Sequence, residues 1–115
     1  MPHADGTWSP SLLNSFAGNP NGEAPFAGLI FDNAGNLYGT TNGGGPYLFG
    51  TVYKLTPSAG GQWTETILYG SSGAADGGSP QTGVILDSTG NLYGTTPAGG
   101  IVPYGQAGVV WEITP

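Results

Sequence analysis

GLIFDNAGNLYGTT, Gly28–Thr41, returns 55 residues later as GVILDSTGNLYGTT, Gly83–Thr96. Ten of the 14 positions are identical: Gly28, Ile30, Asp32 and Gly35 through Thr41. The match extends outward on both sides. At the same spacing Trp8 falls on Trp63, Leu13 on Leu68 and Pro25 on Pro80. Downstream, GTVYKLTP (Gly50–Pro57) aligns with GVVWEITP (Gly108–Pro115), the offset having grown to 58 through three inserted residues. A period of this length marks a repeat architecture, in which each unit buries a face against its neighbour. The repeats divide the chain into a tail at residues 1–7, a first repeat at 8–61 and a second at 62–115, the tail being expected to be disordered.

Each unit resolves into four extended runs. The first is Leu29–Asp32 (Val84–Asp87). A turn around Gly35 (Gly90) leads to the second, Asn36–Thr40 (Asn91–Thr95), and Gly supplies the positive φ such a hairpin needs. A Gly-rich loop then reaches the third run, Thr51–Thr56 (Val109–Thr114). The fourth, Trp63–Tyr69, follows Pro57–Gly61, and its counterpart Trp8–Phe16 stands ahead of the first repeat's other strands. No window carries a helical period. Four antiparallel strands in a unit of this size predict an all-β fold, the β-propeller, supplied here as two four-stranded blades.

Composition agrees with short strands and tight turns. The chain of 115 residues holds 23 Gly and 10 Pro, yet 11% of it is aromatic and only 7% charged, the reverse of a disordered chain. One Lys, no Arg and seven acids give a net charge of −6. Clustered cations are what phosphate backbones and anionic membranes require, so neither nucleic acid nor a membrane surface is an expected partner. No apolar run approaches the length of a membrane span. Cysteine is absent, which excludes disulfides and thiolate metal sites. No signal peptide is evident.

The residues that carry the period, GLIFDNAGNLYGTTNGGGPYLFGTVYKLTP followed by WTETILYG, resemble the Gloeo-Verruco repeat. The resemblance runs from Trp8 to Pro115. It implies tandem copies forming a propeller, in secreted or surface-anchored bacterial proteins. It implies no chemistry at any position. Glu112 at the position of Lys54, and the insertion at 104–107, depart from the pattern.

Candidate chemistry is sparse. His3 is the only histidine, and a general base needs to be held within hydrogen-bond reach. No Ser-His-acid or Cys-His set can be assembled. Asp32 and Asp87 suit two roles, a ring of carboxylates around a cation or turn-capping residues accepting backbone N–H bonds; the turn chemistry favours the second. A glycosidase pair of carboxylates would need two acids in one cleft, and the sequence places none together. Glu65 and Glu112 are expected on solvated outer faces, with Lys54 opposite Glu65. Thr40-Thr41 and Thr95-Thr96 precede Gly-rich loops that lack the helix and Lys of a phosphate cradle, so close packing between blades is expected there. Phe26, Tyr47, Phe49 and Tyr104 fall in or near loops and are the candidate ligand-binding residues, as platforms for sugar or peptide. Trp8, Trp63, Tyr38, Tyr93, Tyr53 and Trp111 are expected in the core between sheets.

Two blades cannot close a ring, which takes about four to eight. Either the chain is a fragment of a longer protein or it assembles with copies of itself; the partner expected is the chain itself, as a homotrimer of six blades or a homotetramer of eight, with a slight preference for eight. Trp8–Phe16 would be the outer strand of a neighbouring chain's second blade. The functional expectation is a non-catalytic, self-assembling module, structural or ligand-binding, with carbohydrate as one ligand class. No cofactor and no metal is expected, and an extracellular or cell-surface setting is. The alternatives are a secreted polysaccharide hydrolase using loop acids and a propeller fragment with no ligand.

Overall fold

The computed structural model describes residues 4–73, 77–80, 82–100 and 108–115. Among the described residues the strands form two antiparallel sheets. The first has the order β1 (Ile30–Phe31), β2 (Leu37–Thr41), β3 (Thr51–Pro57), β4 (Trp63–Gly70); the second has β5 (Ile85–Leu86), β6 (Leu92–Thr96), β7 (Val109–Ile113). Sequence neighbours are neighbours in space throughout. The all-β expectation holds, and a 3₁₀ turn at Ala59–Gly61 is the single helical element among the described residues.

The hairpin turns explain why the first strands are shorter than expected. Asp32 and Asp87 leave the ladder to close three-residue loops, with Asp32 N donating to Asn36 O at 3.0 Å and Gly35 N to Asp32 O at 3.2 Å. Gly35 and Gly90 sit at φ +88° and +93°. This is the loop in which a turn is followed by a left-handed residue, and glycine adopts that conformation without a Cβ penalty. β1 and β5 therefore keep two residues each. A larger departure concerns Trp8–Phe16. Residues 9–16 form no strand, and Trp8 is 74% exposed rather than part of a core.

The first sheet is covered on both faces. Period-two alternation along β3 sends Tyr53 and Leu55 one way and Val52 the other. Tyr53 and Leu55 join Leu37 in one cluster, with Phe16, Trp63 and Ile67 packed against it. Phe16 meets Tyr53 edge-to-face at 4.9 Å between ring centroids. Val52 joins Val84 and Leu92 of the second repeat, and Ile30, Tyr38, Leu68, Leu86, Trp111 and Ile113 pack around them. That second cluster is the contact between the sheets. Trp63, Tyr53, Tyr38 and Trp111 thus lie in the core as expected, whereas Tyr93, the equivalent of Tyr38, joins neither cluster and lines an open face with Ile85 and Val110.

Glycine-rich loops complete the contact, as the Thr-Thr-loop pattern suggested. Thr40 Oγ1 donates to Thr82 O at 2.9 Å, Asn42 Nδ2 to Ser79 O at 3.2 Å, and Ser79 N to Phe49 O at 2.7 Å. A Cβ at Gly50 would lie 2.5 Å from Thr41 O and 2.6 Å from Pro80 Cδ, so only glycine lets the repeats approach this closely.

Candidate functional site

Three places were candidates for chemistry, and the local sequence builds each differently. The first is the pair of acidic turns. Asp32 Oδ1 accepts from the backbone N–H of Ala34 and Asn36, both at 2.9 Å, while Oδ2 accepts from Asn36 Nδ2 and Tyr38 OH, also at 2.9 Å. Asp87 repeats the set with Thr89, Asn91 and Tyr93. Both carboxylates are thus saturated by their own turns. The Asn36 amide, ahead of the other donors, holds the Asp32 carboxyl down at about 2, and the Asn91 amide lowers Asp87 in the same way. Turn capping accounts for these residues. Among the described residues no group of three His, Cys, Asp or Glu side chains could hold a metal ion.

The turns differ in one charge. Tyr38, pushed up to about 12 by burial and then by Asp32, lies under Lys54, whose Nζ stands 5.9 Å from the ring centroid. Tyr93 also rises to about 12, first through its hydrogen bond to Glu112, with Oε2 at 2.8 Å. The expected Lys54–Glu65 pairing is not formed. The β3–β4 register sets Lys54 opposite Thr66 and Leu55 opposite Glu65. Nor is Glu65 on a solvated face. Alternation along β4 points it the same way as Trp63 and Ile67, burial raises its carboxyl pKa, and its Oε2 is buried without a hydrogen-bond partner. Asn14 Nδ2 is buried and unsatisfied as well. Neither feature announces itself in the sequence, although the alternation Trp63-Glu65-Ile67 is a signal for Glu65.

The second place is the loop aromatics. Glu23 N donates to Gly43 O and Asn42 N to Ala24 O, both at 2.9 Å, so the segment carrying Phe26 adjoins the loop carrying Tyr47 and Phe49. Phe26 and Tyr47 are 71% and 60% exposed. Phe49, 45% exposed, has its ring against Gly73 and Gly78, where an added Cβ would come within 2.8 Å and 3.4 Å of it. Tyr104, like His3 and Asp76, lies outside the described residues.

The third place was missed, and the repeat itself reveals it. Val52 in the contact between sheets is 2% exposed, whereas its equivalent Val110 is 80% exposed. Val84 across that contact is 7% exposed, whereas its equivalent Leu29 is 53%. The chain therefore presents both halves of its internal contact once more on opposite sides, one open at Ile85 and Val110, the other open at Leu29 and Phe31 while its Leu37, Tyr53 and Leu55 are already buried. One open face carries Ile85, Tyr93 and Val110 of the second sheet. The other is a groove of about 260 Å³ lined by Leu13, Asn14, Phe16, Leu29, Tyr53 and Leu55.

A family model described as the Gloeobacter/Verrucomicrobia repeat matches residues 2–115. No curated protein and no solved structure matches the chain.

Proposed function

We propose, from the premise that this chain belongs to the Gloeobacter/Verrucomicrobia repeat family, that it is a non-catalytic scaffold of two β-propeller blades that builds a ring from copies of itself. One observation carries the reading: two residues that meet in the contact between the sheets have exposed equivalents on opposite sides of the chain, Val110 standing for Val52 and Leu29 for Val84. Soluble proteins do not leave complementary apolar faces of this kind uncovered. The faces differ from each other, so the contact they make is head-to-tail, and a head-to-tail contact closes when the rotation per chain divides the circle. Three or four chains give six or eight blades, within the range of propellers. Thr95 would then donate to the Ala27 carbonyl of the next copy, as Thr40 does to Thr82 within the chain. Native mass spectrometry of the 115-residue chain should give three or four copies. A stable monomer at micromolar concentration refutes the reading.

The scaffold presents Phe26 and Tyr47 as exposed rings on neighbouring segments, an arrangement suited to stacking on the apolar face of a sugar. The non-catalytic reading is supported by Asp32 and Asp87, whose carboxylates are consumed by their turns, whereas hydrolysis of a glycoside needs a carboxylate pair across one cleft. A glycan array should show binding that Phe26→Ala and Tyr47→Ala remove, and a parallel hydrolysis screen should be blank. Turnover lost in Asp32→Ala or Asp87→Ala with the fold intact would overturn the non-catalytic reading.

A further inference from the structure

Among the described residues the second sheet has three strands where the first has four. In the first sheet β4 pairs along β3 with Tyr53 opposite Ile67 and Lys54 opposite Thr66, and a bulge at Leu68 leads to Val52 opposite Tyr69. β7 is the equivalent of β3, and no strand lies along its outer edge among the described residues. An open edge of N–H and C=O groups is a template for another strand.

We infer that this strand is residues 9–15 of a second copy, laid antiparallel on β7 with Ser11 opposite Glu112, Leu12 opposite Trp111, and Asn14 opposite Val110 beyond a bulge at Leu13. The inference rests on the ring proposed above. It is carried by where the segment already lies. Leu68 of β4 packs against the cluster that also receives Trp111 and Ile113. Its equivalent Leu13 lines the groove with Tyr53 and Leu55, which are the equivalents of Trp111 and Ile113. So residues 9–15 stand to the first sheet as β4 stands to the second. They occupy the place of an outer strand whose inner three strands are missing. Those three are β5, β6 and β7 of another copy, whose open face Ile85, Tyr93 and Val110 would fill the groove.

Three further features fit. Leu12 is 88% exposed, an apolar strand position with nothing over it. Pro10, the equivalent of Glu65, is tolerated in a strand only at an outer edge, which is where the exchange puts it. Glu112 meets the neutral Ser11 rather than a second acid, avoiding a like-charge cross-strand pair. The segment cannot reach β7 of its own chain, because it lies against the opposite face of the first sheet.

The chain holds no cysteine, so introduced thiols are unique probes. Isotope-labelled Ser11→Cys protein is mixed with unlabelled Glu112→Cys protein, assembled, checked by native mass and oxidised. Directly opposed strand residues approach closely enough for a disulfide. A mixed-label disulfide is expected in about half of the chains, the share in which a Ser11→Cys segment meets a Glu112→Cys edge on random mixing, and at least tenfold less with Thr114→Cys, which is two residues out of register. Rings that form without the Ser11–Glu112 cross-link, or that cross-link Ser11 and Thr114 equally well, overturn the exchange while leaving self-assembly standing. Variants that stay folded and monomeric, as the unmodified chain does beside them, overturn both.

Discussion

Val52 and Val110 form a matched pair for measuring what a neighbouring repeat contributes. They are equivalent in sequence, yet one is 2% and the other 80% exposed. Val→Ala removes the equivalent of two methylene groups. At about 0.8 kcal/mol per buried methylene, plus a share for the incompletely collapsed cavity, Val52→Ala should cost about 2 kcal/mol. For a domain of this size that lowers Tm by about 8 °C. Val110→Ala should change the dilute, dissociated chain by less than about 0.5 kcal/mol, because an exposed side chain has little to lose. In the ring the same valine is buried as Val52 is. The loss of about 2 kcal/mol then falls on association and raises the dissociation constant about 30-fold. Thermal unfolding at low concentration and sedimentation across a dilution series read the two effects separately. Equal losses of Tm in the dissociated chain, or an unchanged dissociation constant for Val110→Ala, would refute the reasoning.

Further outcomes are open to direct measurement. Gly50→Ala places a methyl 2.5 Å from Thr41 O at φ +97° and should destabilise by more than about 1 kcal/mol in urea titration, whereas Ala at the exposed Gly28, with no atom within 4 Å, should be nearly silent. Asp32 and Asp87 have lowered carboxyl pKa values, so the stability they add is complete above their ordinary value of 3.8 and is lost as pH falls towards 2; Asp32→Asn with Asp87→Asn should flatten the acid limb of a Tm-against-pH curve. Glu65 has a raised carboxyl and the opposite sign, its ionised form opposing folding once pH exceeds the ordinary value of 4.5; Glu65→Gln should raise Tm at neutral pH and leave it nearly unchanged at pH 3.

The parts of the fold that the sequence discloses are those decided within a few residues. Asp32 and Asp87 make the same bonds to the residues two, four and six ahead, although one repeat packs its face against a neighbour and the other does not. Turn position, strand order and the inward alternation of Tyr53 and Leu55 follow from such local rules, and they were legible. Register was less so. The β3–β4 turn closes on Pro57↔Trp63, and counting back from that pair sets Lys54 opposite Thr66 and not Glu65, while the bulge between Val52 and Tyr53 displaces the partners further along. A one-residue slip moves every side chain along the strand to the other face, and no single-strand pattern encodes the partner's bulge.

What one chain's sequence pattern cannot assign is burial supplied by something beyond the strand. Trp8 and Trp63 share a position in the repeat, yet Trp8 stands exposed and Trp63 packs on the Leu37–Tyr53–Leu55 cluster. The same holds for Leu29 against Val84, and for Val110 against Val52. In each pair the exposed member belongs to the side on which its repeat has no neighbour. Were exposure set by the residue itself, the pairs would agree; were it set by loss of local structure, the β6–β7 ladder would fail where β2–β3 holds. The ladders match position for position, from Leu37↔Leu55 and Leu92↔Ile113 to Thr41↔Thr51 and Thr96↔Val109. The inner strands are therefore formed alike in both repeats, and for Leu29 and Val110 the difference follows the missing neighbour, whereas Trp8 also lacks the strand that carries Trp63. A second chain of the same sequence carries both faces needed to remove that difference, which is the physical content of the proposed ring.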